Sequence, residues 1–134
     1  MEIKGMQEQD PIGDIYSVIG GSEPYYRLCE EFYKGVETDE VLRRWYPEDL
    51  TLPKEHLALF LIQRTGGPQT YSEQRGHPRM RGRHMPFKIG FIERNAWLHH
   101  MNNALDAVPE FASSKAVFYE FLETFATFLI NQPG

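Results

Sequence analysis

Cysteine is nearly missing. Cys29 stands alone among 134 residues, which excludes an intramolecular disulfide and any multi-cysteine metal or iron–sulfur site. A single thiol among apolar neighbours reads as a small buried side chain. No apolar run is long enough to span a bilayer. The beginning of the chain carries Glu2, Glu8 and Asp10 and no apolar signal core, so a cytoplasmic protein with no membrane partner is expected. A surplus of positive charge is missing too: the net charge is −5, which argues against general affinity for nucleic-acid backbones. Alternating strand patterns, repeats and low-complexity tracts are not found. Neither an HExxH pair nor a Gly-rich dinucleotide fingerprint occurs.

What the chain has in quantity is aromatic: nine Phe, seven Tyr and two Trp, enough for a large apolar cavity as well as for packing. The length fits one domain with a real core. Residues 1–11 are polar and without period and read as a loose tail, leaving 12–134 as the domain. Residues 12–19 form a short turn or helix stopped by Gly20-Gly21. Ser22 and Pro24 then open a helix, along which Tyr25, Cys29, Phe32, Tyr33 and Val36 recur at helical spacing. Thr38 or Asp39 is expected to cap a shorter helix carrying Val41 and Leu42, cut off before Pro47. Thr51 and Pro53 start a helix that is apolar on most sides, so it is either buried or covered on one side by a ligand. Gly66-Gly67-Pro68 ends it. After a long loop, a helix from about Ile89 to Val108 presents Trp97, Met101 and Ala104. A last helix, capped by Ser113 or Ser114, carries an aromatic seam from Phe118 to Phe128. The class is all-α.

The loop between them holds the chemistry. From Gly67 to Ile92 only Glu73 opposes Arg75, Arg79, Arg81, Arg83 and Lys88. Gly76 and Pro78 keep most of it irregular, with a turn or two of helix from Arg79 to His84. A loop this long inside a small domain is more often functional than idle. His84 has no partner at metal-ligand spacing among His56, His77, His99 and His100. It is therefore either a loop histidine bonded to backbone or the one protein ligand of a metal that brings its own ligands, as haem does. The arginines either meet carboxylates bidentately or form a solvated or phosphate-binding loop. Tyr33, Tyr46 and Trp97 sit on or beside apolar stripes of different helices. Their polar atoms need partners when buried, and Trp97, which only donates, would favour a ligand carrying negative charge.

Several of these blocks together resemble the group II truncated haemoglobins: GGPQTYSEQRGHPRMRGRHMPFKI followed by IERNAWL, with EEFYKGV and DEVLRRWYPEDL upstream. The likeness runs from about Ile15 to Asn131. It implies a truncated globin fold, a two-over-two helical sandwich with the proximal helix reduced to a loop and a brief turn, holding haem b (iron protoporphyrin IX). By the same resemblance His84 is the proximal iron ligand. Tyr33, Tyr46, Trp97, Leu57 and Phe60 form the distal pocket, and Arg83, Tyr71, Arg75 and His77 meet the propionates. Pro53 and Thr65 depart from the family pattern, which implies an altered route for the ligand. The implied function is tight, reversible binding of O2, and of NO and CO. The alternative is an enzyme, a nitric oxide dioxygenase or peroxidase-like catalyst, supplied with electrons by a separate reductase. A monomer or a homodimer is compatible with either. Without haem, the basic loop would instead be a docking surface for an acidic partner.

Overall fold

The computed structural model describes residues 10–133, so most of the expected tail lies outside the described residues. Within them, Asp10 accepts hydrogen bonds from Arg64 at 2.8 Å and from the Ile12 N–H at 3.3 Å. Helix α1 spans Ile15–Ile19 and closes on Gly20, whose φ of +95° is the left-handed geometry glycine tolerates. Helix α2 follows over Glu23–Glu37, with Pro24 in its first turn and the expected stripe buried. Ser22 does not cap it. Its hydroxyl lies 3.0 Å from the Tyr16 phenol instead.

The expected short helix around Val41 and Leu42 is a capped turn. Asp39 Oδ1 accepts from the Val41 and Leu42 N–H groups at 2.7 and 3.2 Å, and only Arg43–Trp45 forms a 3-10 turn. Pro47 forces Tyr46 into extended backbone, so no further turn can form. The Arg43 guanidinium then binds the carbonyls of Tyr46, Pro47 and Glu48 at 3.0–3.1 Å, which fixes the backbone that carries Tyr46.

Helix α3 (Thr51–Arg64) takes Pro53 in its first turn and buries Ala58 to Ile62. It ends at Thr65, which is fully buried. The Thr65 hydroxyl donates to the Leu61 carbonyl at 2.7 Å and accepts from the Tyr25 phenol at 2.6 Å. The next stretch is more ordered than expected. Thr70–Arg75 is a helix, α4, tied to α3 because Gln63 Nε2 donates to Ser72 Oγ at 2.8 Å and the Ser72 N–H donates to Gln63 Oε1 at 3.0 Å. Helix α5 is the short piece Met80–His84. Helix α6 spans Phe91–Ala107, its start held by Glu93, whose Oε1 accepts from the Gly90 N–H at 2.8 Å. A 3-10 stretch, Pro109–Ser114, leads into α7 (Lys115–Phe128).

Helix α2 packs on both α3 and α6, and α6 packs on α7. This is the two-over-two sandwich, all-helical among the described residues. Helices α2 and α6 come closest at Gly35, where a Cβ would lie 2.2 Å from His100 Nδ1. There His100 Nε2–H donates to Asp39 Oδ2 at 2.5 Å. The helix bearing Trp97 is thus fastened to the turn that leads to Tyr46.

Candidate functional site

The sandwich does not close on itself at α3, α5 and α6; it leaves a cavity of about 340 Å³, a size suited to a small organic ligand. Among its lining residues are the polar aromatics Tyr33, Tyr46 and Trp97. Tyr33 meets Tyr46 edge to face with centroids 5.4 Å apart. Trp97 packs between Phe32 at 5.4 Å and Phe125 at 6.4 Å, and its ring reaches the cavity wall. Burial and the neighbouring Tyr46 push the Tyr33 phenol far above its ordinary pKa, and burial pushes Tyr46 up to about 12. Both therefore keep their O–H at neutral pH. Leu57 and Phe60 add apolar wall from α3, so the apolar side of that helix does face a hollow.

His84 stands at the end of α5 and also lines the cavity. Its Nδ1–H donates to the Met80 carbonyl at 2.6 Å. That bond sets the tautomer and leaves the Nε2 lone pair available, the arrangement found in metal-binding imidazoles. Among the described residues no three His, Cys, Asp or Glu side chains gather as a metal-ligand group. A metal held by His84 would have to bring its other ligands. Asn131 braces the segment after His84: its side-chain amide donates to the Phe87 carbonyl at 2.8 Å and to the His84 carbonyl at 3.4 Å, and its Oδ1 accepts from the Ile89 N–H at 2.9 Å.

The rim is cationic. The Arg75 and Arg83 guanidiniums lie 5.7 and 5.8 Å from the centroid of the buried Tyr71 ring. Arg75 Nη1 donates to His56 Nε2 at 3.0 Å. Burial, then the Arg75 charge, hold the His56 pKa below its usual value, so it stays a neutral acceptor. Arg83 is partly committed elsewhere, donating from Nε to the Pro78 carbonyl at 2.7 Å and from Nη2 to the Arg75 carbonyl at 2.8 Å.

Of the ten residues the sequence singled out, Tyr33, Tyr46, Leu57, Phe60, Tyr71, Arg75, Arg83, His84 and Trp97 line this one cavity. His77 does not; it is exposed outside the wall. His56 was missed, although positions 53, 56, 57 and 60 share one face of α3. Asn131 carried no local signal. Trp45 was missed as well: it lines the cavity, and its indole nitrogen is the one buried side-chain polar atom without a partner among the described residues. Apolar walls, a free imidazole nitrogen in the same cavity as phenol and indole side chains, and a cationic rim suit a flat metal macrocycle with carboxylates at its edge. Haem fits that description.

Comparison with known proteins agrees. The family model described as "Bacterial-like globin" matches residues 14–131. The group 2 truncated haemoglobin YjbI of Bacillus subtilis is 36% identical over 112 residues, 84% of this chain and 85% of that one. The crystal structure of a thermostable haemoglobin from Thermobifida fusca superposes with a TM-score of 0.85 at 45% identity, over 90% of this chain and 99% of that one. That of a truncated oxygen-avid haemoglobin from Bacillus subtilis gives 0.83 at 35% identity, over 88% and 99%. Among the described residues no helix is long and apolar enough to cross a membrane. The chain belongs to the bacterial-like globins and, within them, to the group II truncated haemoglobins.

Proposed function

We propose that the protein is a cytoplasmic haem b protein that binds O2 tightly at ferrous iron, and that His84 Nε2 would hold that iron. The observation that supports this reading is that His84, its Nδ1 already engaged by Met80, lines the same cavity as Tyr33, Tyr46 and Trp97. When bound, haem supplies the iron at which O2, NO and CO coordinate. The chain's own residues do the rest. Trp97, Tyr33 and Tyr46 would donate to the negative charge that a diatomic ligand draws onto itself, and such charge-assisted bonds are strong in a dry pocket. Tyr71, Arg75 and Arg83 hold the propionates, and His56 joins them through Arg75.

Several donors slow ligand release, which makes a poor shuttle. That favours a second reading in which NO is oxidised or peroxide is cleaved, with electrons from a separate reductase. A Soret band in the purified protein and its resonance Raman spectrum test the first reading. His84→Ala should lose five-coordinate haem, and retention of the wild-type spectrum would remove the proximal assignment. Catalytic rather than stoichiometric NO consumption, with a reductase present, selects the second reading over the first.

A further inference from the structure

Outside the stretch from Gly67 to Ile92, the described cations are almost all neutralised. Arg27, Lys34, Arg44, Lys54, Arg64, Arg94 and Lys115 each pair with a carboxylate, and Arg43 is spent on backbone carbonyls. Inside that stretch the pattern inverts. Among the described residues Arg75, Arg79, Arg81, Arg83 and Lys88 form no ion pair. Arg75 and Arg83 turn toward Tyr71 and the cavity. Arg79, Arg81 and Lys88 are exposed. They accompany two large apolar side chains also open to solvent: Met85, the residue after His84, is 57% exposed, and Phe128, with the Arg81 guanidinium 5.7 Å from its ring, is 58% exposed.

Arg79 adds an independent sign. Its φ of +44° makes it the sole non-glycine residue with left-handed backbone among those described. A glycine would hold that turn with less strain, and yet a cation stands there.

Resting on the haem-binding reading, we propose that this face, on the His84 side of the cavity, docks an acidic one-electron carrier protein. Its exposed apolar side chains, Phe128 with Arg81 against it and Met85, together with its unneutralised cations are the complement of a carrier whose flavin or iron–sulfur centre sits in a ring of carboxylates. The transfer would be a single electron: the docked carrier would be oxidised by one unit, and ferric iron held by His84 would be reduced by one to ferrous. A nucleic acid or an anionic membrane fits less well, because an extended polyanion would also meet the carboxylates around this face, where the net charge of −5 resides, whereas a compact carrier need touch only the cationic face itself.

The test uses the holoprotein and flavodoxin, an acidic flavin protein, as the probe. Binding is followed by calorimetric titration at low and at physiological ionic strength (about 0.15 M). Arg79→Gly combined with Arg81→Glu should weaken binding about tenfold and flatten its salt dependence. Lys34→Glu, a reversal far along α2, should leave binding unchanged. Arg79→Gly alone should weaken binding while leaving the melting temperature equal or higher, which separates docking from folding. No saturable complex, equal loss in the Lys34→Glu control, unchanged affinity in the double variant, or comparable binding to DNA or anionic vesicles would each overturn the proposal. The Soret spectrum of every variant is recorded alongside. A missing band defeats the haem reading itself, whereas an intact band with charge-insensitive binding defeats the docking face alone.

Discussion

Replacing Trp97 by Phe isolates one hydrogen-bond donor. The indole is wedged between Phe32 and Phe125 at 5.4 and 6.4 Å, so a phenyl ring keeps the aromatic packing and the helix position. Only the N–H and a little volume disappear. A hydrogen bond to a charged group contributes about 1.5–3 kcal/mol net. If that bond forms to bound O2 and not in the ligand-free protein, the loss falls on dissociation, and about 1.4 kcal/mol is a tenfold change. The O2 off-rate should therefore rise by about 10- to 150-fold, with the on-rate changed far less. Tyr33 and Tyr46 remain as donors and can re-aim, which pulls the expectation toward the lower end. Stopped-flow displacement of O2 by CO measures the off-rate directly. Carbon monoxide draws less charge than O2, so its own off-rate is the internal control. An O2 off-rate within about twofold of wild type would refute the reasoning, as would equal acceleration of both ligands, which would indicate a gate rather than a donor.

Four further outcomes follow from the same geometry. Thr65→Val removes the acceptor of the Tyr25 phenol and should destabilise the fold by about 1–3 kcal/mol in denaturant titration, with ligand off-rates unchanged. Asn131→Ala should shift or broaden the iron–histidine stretching band in resonance Raman, because the carbonyls of His84 and Phe87 lose their shared donor; an unchanged band would show that the segment holds itself. Burial raises the Asp39 carboxyl, but the His100 imidazole and the N–H groups of Val41 and Leu42 more than offset it and leave the pKa lowered. Its stabilisation is therefore complete above about pH 4 and lost as pH falls through the lowered value, so Asp39→Asn should flatten the acid limb of a stability–pH curve. Since burial pushes Tyr46 up to about 12 and Tyr33 higher still, the O2 off-rate should stay flat from about pH 6 to 10; a break near 9 would mean that one phenol is wet.

Most of the core could be read from spacing, because burial in a helical sandwich is imposed by a period that any one stretch of chain displays. Tyr25, Phe32 and Val36 follow one stripe of α2, and they are buried for the reason the stripe announces. Candidates for the cavity lining were legible for a related reason, although their roles came from the family resemblance. Tyr33 and Trp97 ride the edges of such stripes, and His84 ends the one helical turn in a cationic loop. Errors arose where a local preference was overruled by a distant partner. Gly76 and Pro78 made residues 69–86 look irregular, and six residues of helix are too few to persist on their own. Helix α4 nonetheless forms, since Gln63 of α3 bonds both the hydroxyl and the N–H of Ser72. Val41 and Leu42 erred the other way. Asp39 supplied the expected cap, but its other oxygen is held by His100 across the sandwich, and Pro47 left no room for a helix to grow.

The same distinction explains why arginine roles were the least legible part of the site. An arginine announces charge, but its direction is set by whichever carbonyl, ring or carboxylate lies within its long reach. Arg83 spends two of its nitrogens on the loop that carries it. What it does in the fold is therefore to tie together the ends of the segment between Arg75 and Pro78, and any charge it offered a ligand would come second. Arg75 is the freer of the two, because a neutral imidazole, not a carboxylate, receives its hydrogen bond. A propionate arriving at the rim would find Arg75 with its charge uncompensated. This predicts an unequal pair: Arg75→Gln should speed haem loss to apomyoglobin while leaving the melting temperature of the apoprotein nearly unchanged, and Arg83→Gln should lower that temperature as well. Equal behaviour of the two variants in both measurements would mean that the loop carbonyls take nothing essential from Arg83.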